Sequence, residues 1–585
     1  MNAAVETKLQ FRVLYRQFLF RVVDLEVLSA DALGDSNRLL GQFAALLIVI
    51  GILILPGAAA LLFAAKNMPA DAQAQISLFV AQFLAATTML AVGIFAVLSW
   101  DSIFPDRRDV FVLAPLPIRA RTVFLAKQAA MGTALSLVVI LLNCATGLVC
   151  PFGFDNKAGT LGIVRSFGAY WFAMFAAGIF IYCSVLILQG LAAQILPRRT
   201  FLRASGFLQM AAFCLFVCAY FLEPPADGLR MLVAPENHRL LVWLPSYWFL
   251  GLFHQLNGSM HAALVPLARR AWIGLTVAVL AAGLIYALSY MRMMRQIVEE
   301  PDITSGTKGS RLLPRFGDEL QTAIGQFCLR TLARSRQHRL ILAFYLGIGL
   351  AFTILLAQSF APEPQPAGGL APNLWHEANI PLLLVATIMV MTLAVMGTRV
   401  VFTLPLDLRA NWIFRAVGVH DAARILAASQ RALLLLSVLP VWLISAAVCL
   451  WLWPLRQAVA HLVVLGLLGL ILADLCLWGF RKIPFTCSYL PGKSQVHMVV
   501  IAVAILLLFV AQGVIYEQEA LQRPANLAIL LVLLSVATLA IRWRMTLAAR
   551  FDEEELQFEQ TDPSSLVELG LYRDGSVIGG STREQ

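Results

Sequence analysis

Few residues in this chain are of types that do chemistry, and they stand apart from one another. Asp474 sits in LILADLCLWGF, an acidic side chain inside an apolar run. An ionisable group in such a place is either a pathway or proton-relay residue or the partner of a neighbouring helix. Asn143 and Gln189 lie in two other apolar runs, where they would line a polar seam or make interhelical hydrogen bonds. The segment CSYLPGKSQ (487–495) ends in Gly492, Lys493 and Ser494 like the phosphate-binding loop GxxxxGK[ST], but Cys487 occupies the first glycine position and no strand precedes it. No nucleotide site is expected there. The nine cysteines form no CxxC pair, so neither a disulfide framework nor a zinc site is indicated. With no HExxH, no GxSxG and no clustered acids and bases, no catalytic residue, metal or cofactor is expected within the chain.

The elements that must carry these residues follow from hydropathy. The chain has 585 residues, 60% hydrophobic and 13% charged, with a mean hydropathy of +0.78. That excludes an ordinary soluble globular protein. A spanning helix needs roughly 20 apolar residues, and runs of that order fall near 39–65, 76–100, 123–150, 167–196, 204–222, 270–291, 340–358, 380–403, 432–453, 460–480, 497–516 and 525–541. The expectation is an all-α, polytopic integral membrane protein of about 12 transmembrane helices. No apolar stretch or small-residue cleavage site precedes residue 39, so the first span is expected to be retained.

The net charge of +10 could mark a nucleic-acid binder, but the basic residues lie between spans, which points to the bilayer instead. With the N-terminus inside, 35 of the 44 lysines and arginines fall on the inner side. The C-terminus is then cytoplasmic as well. A Pro-, Gly- and Ser-containing stretch after residue 292 reads as a linker. The organisation is therefore a cytoplasmic amphipathic helix (1–38), a first six-span half (39–291), a cytoplasmic linker with a second amphipathic helix (292–339), a second six-span half (340–545) and a cytoplasmic tail (546–585). Phe11, Leu14, Tyr15, Phe18, Leu19, Val22 and Val23 form the first amphipathic stripe, expected along the inner membrane surface; Leu320, Ile324, Phe327 and Cys328 form the second. Two six-span halves in parallel orientation place the natural pathway at their interface. Between spans five and six, LLVWLPSYWFLGLFHQL (240–256) reads as an interfacial or re-entrant helix.

The inner loop after span two, WDSIFPDRRDVFVLAPLPIRARTVFLAKQ (100–128), contains Arg107, Arg108 and Asp109, then Val112 and Leu113, then Pro117, Arg119, Arg121 and Lys127. It resembles the corresponding loop in permease subunits of ABC-2-type exporters, which carries an arginine and acidic group, a leucine-rich turn, a proline, and a lysine ten residues later entering the third span. The family's usual threonine is absent here, and alanine stands where glycine precedes the lysine. The close match covers about twenty residues; beyond them the resemblance is one of architecture. It implies a coupling loop that docks into a cleft of a separate ATPase. The equivalent loop of the second half (398–431) holds Asp407, Arg409, Asn411, Trp412, Arg415, Asp421 and Arg424, without the matching proline and lysine. Two unlike loops on one chain imply a fused two-half permease.

On that resemblance the chain is the membrane permease of an ATP-driven exporter in a cytoplasmic (inner) membrane. Its partners would be cytoplasmic ATP-binding cassette subunits, two in number, holding the ATP; no nucleic acid is expected. Two other classes share the topology: a secondary transporter of the major facilitator type, whose usual glycine-containing motif is not seen in SIFPDRRDVF, and a non-transporting membrane scaffold.

Overall fold

The computed structural model describes residues 3–23, 36–104, 107–113, 115–154, 159–223, 241, 243–299, 318–359, 380–404, 422–478, 480, 483–486, 510 and 512–551. Of the structure, 91% is helical, with no strand among the described residues. Eleven described helices are long and apolar enough to cross a membrane. They match eleven of the twelve expected positions. The other, 497–516, falls largely outside the described residues, although 512–522 is helical.

The first half runs α1 (Ala3–Val23), α2 (Ser36–Ala65), α3 (Ala70–Leu98), the single turn α4 (Trp100–Ile103), α5 (Arg107–Leu113), α6 (Ala120–Asn143), α7 (Thr146–Gly153), α8 (Gly159–Ile195), α9 (Arg198–Leu222), α10 (Pro245–Asn257) and α11 (Val265–Glu299). The second half runs α12 (Glu319–Arg334), α13 (Arg336–Ser359), α14 (Ile380–Phe402), α15 (Ala422–Leu433), α16 (Leu439–Leu452), α17 (Leu455–Cys476) and α18 (Pro524–Phe551). A π turn, Leu434–Val438, joins α15 to α16. Pro440 follows one residue beyond it; proline lacks an N–H and its ring crowds the carbonyl four residues back, so the helix widens there.

Each half covers its third span with its amphipathic helix. Leu14 and Phe18 of α1 are buried against Ala126 and Ala130 of α6, and Tyr15 donates to Thr133 at 3.0 Å. The small alanines admit the large side chains. The expected stripe is thus spent on protein, not laid wholly on lipid. In the second half α12 packs on α15. Asp318 caps α12 by accepting from the Gln321 N–H at 2.8 Å, and Arg431 donates to Gln321 Oε1 at 2.7 Å.

The halves meet where α9 packs on α13. Phe213, Val217, Leu340, Ala343 and Ala351 form an apolar cluster there, and the Arg339 guanidinium lies over the Phe207 ring at 4.8 Å. This part of the seam is close-packed. Within the 240–256 stretch, α10 begins at Pro245 and is enclosed by α3, α8 and α11, with Tyr247, Phe249, Leu250 and Leu252 fully buried. Gly251 permits that enclosure, since a Cβ there would sit 2.7 Å from the Ala268 nitrogen on α11. At the other extreme, α18 exposes Ile529, Val532, Leu533, Val536 and Leu539. So continuous an apolar surface needs lipid around it.

Candidate functional site

The resemblance pointed to the loop that follows α3, and the structure shows how that loop is rooted. Where α3 ends, its last carbonyls have no partner within the helix and must find one elsewhere. Four helices supply side chains. Gln209 of α9 donates to the Val97 carbonyl at 2.6 Å, Gln189 of α8 to Trp100 at 2.8 Å, Tyr286 of α11 to Ile103 at 2.8 Å, and Lys127 of α6 to Phe104 at 2.7 Å. The Trp100 indole N–H returns a bond to Ser205 Oγ of α9 at 2.9 Å. Trp100, Ile103 and Phe104 are buried beneath this clamp, and Phe104, Phe124, Tyr286 and Tyr290 pack ring against ring.

Lys127 is 2% exposed. A buried ammonium is costly unless its donors are used. Here it bonds the Phe104 carbonyl and lies 5.6 Å from the Phe18 ring centroid, so α1 covers it as well. Its place is under the loop, holding the turn, and not on an outer docking face. The surface that α5 and the following turn do present is mixed: Phe111, Val112, Leu116 and Pro117 are exposed beside Arg119 and Arg121. Leu113 and Ile118 turn inward against α1 and α6. Arg107, Arg108 and Asp109 open α5, and their side chains lie outside the described residues.

In the second half, Asp407, Arg409, Asn411, Trp412, Arg415 and Asp421 fall outside the described residues. Arg424 lies 3.7 Å from Asp318, with 58% and 41% of the two side chains exposed, a geometry worth little in energy. The turn after α14 has a clamp of its own. His338 of α13 reaches the Leu404 carbonyl at 3.0 Å, the Phe485 N–H donates to the Phe402 carbonyl at 2.9 Å, and Arg399 donates to the Cys476 carbonyl at 2.6 Å while lying over Phe480.

The three polar residues inside spans separate by role. Gln189 belongs to the clamp. Asn143 joins four helices instead: it donates to Thr88 Oγ1 at 3.1 Å and to the Val139 carbonyl at 3.0 Å, and its Oδ1 accepts from Tyr170 at 2.8 Å. Tyr170 in turn meets Thr146 at 2.9 Å. Asp474, 1% exposed, accepts from Arg542 at 3.0 Å and from Gln430 at 3.3 Å. It thereby ties the lipid-facing α18 to the bundle.

One buried group of the second half escaped the sequence reading. His461 of α17 bonds Glu517 through Nδ1 at 2.7 Å and Thr387 of α14 through Nε2 at 2.9 Å. His461 and Glu517 are both essentially inaccessible, and Glu517 Oε2 has no hydrogen-bond partner. Both residues stand at the ends of apolar runs, where a charge reads as a solvated boundary. Among the described residues, no three histidine, cysteine or acidic side chains are placed to hold a metal ion.

Comparison of the chain with protein-family models, curated proteins and solved structures finds no match.

Proposed function

We propose that the chain is the membrane permease of an ATP-driven exporter, with both termini cytoplasmic, and that the loop between α3 and α6 receives the stroke of a separate ATPase. The observation that carries this reading is the clamp at residues 97–104. A loop that merely connected two helices would need only its covalent ends. This one is hydrogen-bonded at its root to α6, α8, α9 and α11, so displacement of α5 would be shared among four helices through bonds that are stiff when buried. The exposed Phe111, Val112 and Leu116, flanked by arginines, suit a cleft with apolar walls and an acidic rim. The cation distribution, 35 of 44 on one side, supports the orientation.

The test is co-purification of the ATPase with charge-reversed variants. Arg107→Glu with Arg108→Glu should lose the partner, whereas Arg198→Glu with Arg199→Glu, equal in charge but in another loop, should keep it. Equal retention by both would remove the coupling role.

A second reading is favoured by one observation. The buried Thr387–His461–Glu517 chain has the composition of a proton-binding site, as a proton-linked secondary transporter would need. Under that reading Glu517→Gln abolishes proton uptake by reconstituted vesicles; under the exporter reading ATP-driven transport survives the change.

A further inference from the structure

The exposed apolar surface of α18 ends at a fixed cation. Arg456 and Arg523 stand at the starts of α17 and α18. Asp474 lies nineteen residues after Leu455, and Arg542 eighteen after Pro524. At 1.5 Å per residue both are roughly 28 Å from those starts, close to the ~30 Å of a bilayer's hydrocarbon. The Asp474–Arg542 pair therefore stands at headgroup level. Trp543 and Trp478 are exposed beside it, at the depth that tryptophan favours.

Two neighbours set the Arg542 side chain. The buried Asp474 carboxylate accepts from its Nε at 3.0 Å, and Gln430 donates to the other carboxylate oxygen at 3.3 Å. A guanidinium carries five N–H donors in a planar fork, so one edge anchors the group while 45% of the side chain stays accessible. Anchoring matters because a free arginine loses rotamer freedom when it binds, and this one has lost much of it already. From Arg542 the surface of α18 continues as a single stripe: Trp543, Leu539, Val536, Val532 and Ile529 are all exposed, at spacings of three and four residues. Thr538 and Met545 turn into the protein instead. Thr546, one turn beyond Arg542, is exposed and donates to the Trp543 carbonyl at 2.8 Å.

We propose that this face of α18 binds an anionic phospholipid, with its phosphate on the Arg542 guanidinium and an acyl chain along Leu539, Val536 and Val532. A guanidinium meets phosphate oxygens through paired N–H donors. A lipid brings phosphate and apolar chain to one helix face at the two depths these residues occupy. Arg544 carries the same charge at nearly the same depth but lies about 160° round the helix from Arg542, so it adds general attraction without belonging to the site. The proposal needs only that α18 crosses a bilayer. It does not rest on the exporter reading, because no ATPase enters the assay.

The test uses the full chain in phosphatidylcholine nanodiscs holding a small fraction of phosphatidylglycerol with a diazirine on one acyl chain, and mass spectrometry to map the label. Labelling should saturate as that fraction rises and concentrate on residues 532–543. Unlabelled phosphatidylglycerol should displace it; inorganic phosphate should not, and a phosphatidylcholine probe with the same diazirine should not concentrate there. Arg542→Gln should weaken labelling about tenfold, the scale of a charge-assisted bond, and Arg544→Gln should cost less. Because Arg542→Gln also loses the Asp474 pair, Thr546→Glu is the second variant. It leaves that pair in place, puts a carboxylate one turn from the guanidinium, and should abolish the label with folded yield unchanged. Equal losses from Arg542 and Arg544, labelling undisturbed by Thr546→Glu, or equal capture of the phosphatidylcholine probe would overturn the proposal. Displacement by inorganic phosphate would overturn it too, by assigning the guanidinium to a free anion.

Discussion

The two halves hold the turn after their second span by different means. In the first, Gln209, Gln189, Tyr286 and Lys127 reach in from four helices to the buried carbonyls of Val97, Trp100, Ile103 and Phe104. In the second, His338 holds Leu404, and Phe485, a residue of the chain after α17, holds Phe402. Buried charge shows the opposite bias: among the described residues of the first half it is Lys127, whereas the second half buries Asp474 and Glu517 beside His461. Side chains from four helices brace this turn in the first half. In the second half the buried Asp474 carboxylate ties α18 to the bundle. The two halves thus differ: side chains brace this turn in one, and buried carboxylates tie helices together in the other.

That contrast can be broken most severely at α18. Arg542→Ala leaves the buried Asp474 carboxylate with Gln430 alone, and we expect a loss of about 2 kcal/mol, the scale for a bond to a charged group, read as lower folded yield and melting temperature in detergent. Asp474→Asn keeps an acceptor for Arg542 and should cost about 1 kcal/mol. Equal effects would mean that the pair does not hold α18.

Lys127→Met keeps length and apolar bulk while removing the donor to Phe104. ATPase stimulation should fall about tenfold, equivalent to ~1.4 kcal/mol, close to the lower end of the range for a bond from a charged donor, with the ATPase still bound. His338→Phe, the matching change in the second half, should cost less than Lys127→Met. A larger effect from His338 would invert the comparison.

A shallower effect is expected at Glu223, just beyond α9. Desolvation pushes its carboxyl up from 4.5 to about 7, a hydrogen bond from Gln82 opposing the shift. The folded state then holds a proton that the unfolded state releases, so stability should fall as pH rises between 4.5 and 7 and level off above. Because the group is part-exposed, solvent damps the slope. Glu223→Gln should flatten the melting-temperature profile over that window; an unchanged slope would assign it to other groups. The smallest effect belongs to Arg424→Gln, whose exposed pair with Asp318 should be worth within about 0.5 kcal/mol.

Much of the fold was legible because hydropathy reports spans directly: long apolar runs gave eleven helices in place, and Pro245 with its aromatic neighbours marked α10. The clamp was not legible. Its acceptors are backbone carbonyls, which have no sequence identity, and its donors Gln209 and Tyr286 look like ordinary polar residues of apolar helices. Lys127 stood out through the loop's resemblance to exporter permeases, but spacing alone could not say whether it faces a partner or the turn beneath it. Asp474 was visible as an acidic intruder; its partner is on α18, 68 residues away, a pairing that periodicity does not encode. His461 and Glu517 lie 56 residues apart and meet only through helix packing.

The proposed coupling requires the α3–α6 loop to be where an ATPase pushes. Leu116 is exposed on that loop, so a photoreactive phenylalanine analogue placed there reports its contacts directly in native membranes. Irradiation should join the chain to a nucleotide-binding ATPase, identified by mass spectrometry, while the same analogue at the exposed Leu161, at the start of α8, should not. A Leu116 crosslink only to lipid or to the chain itself, with the ATPase absent, would contradict the coupling role.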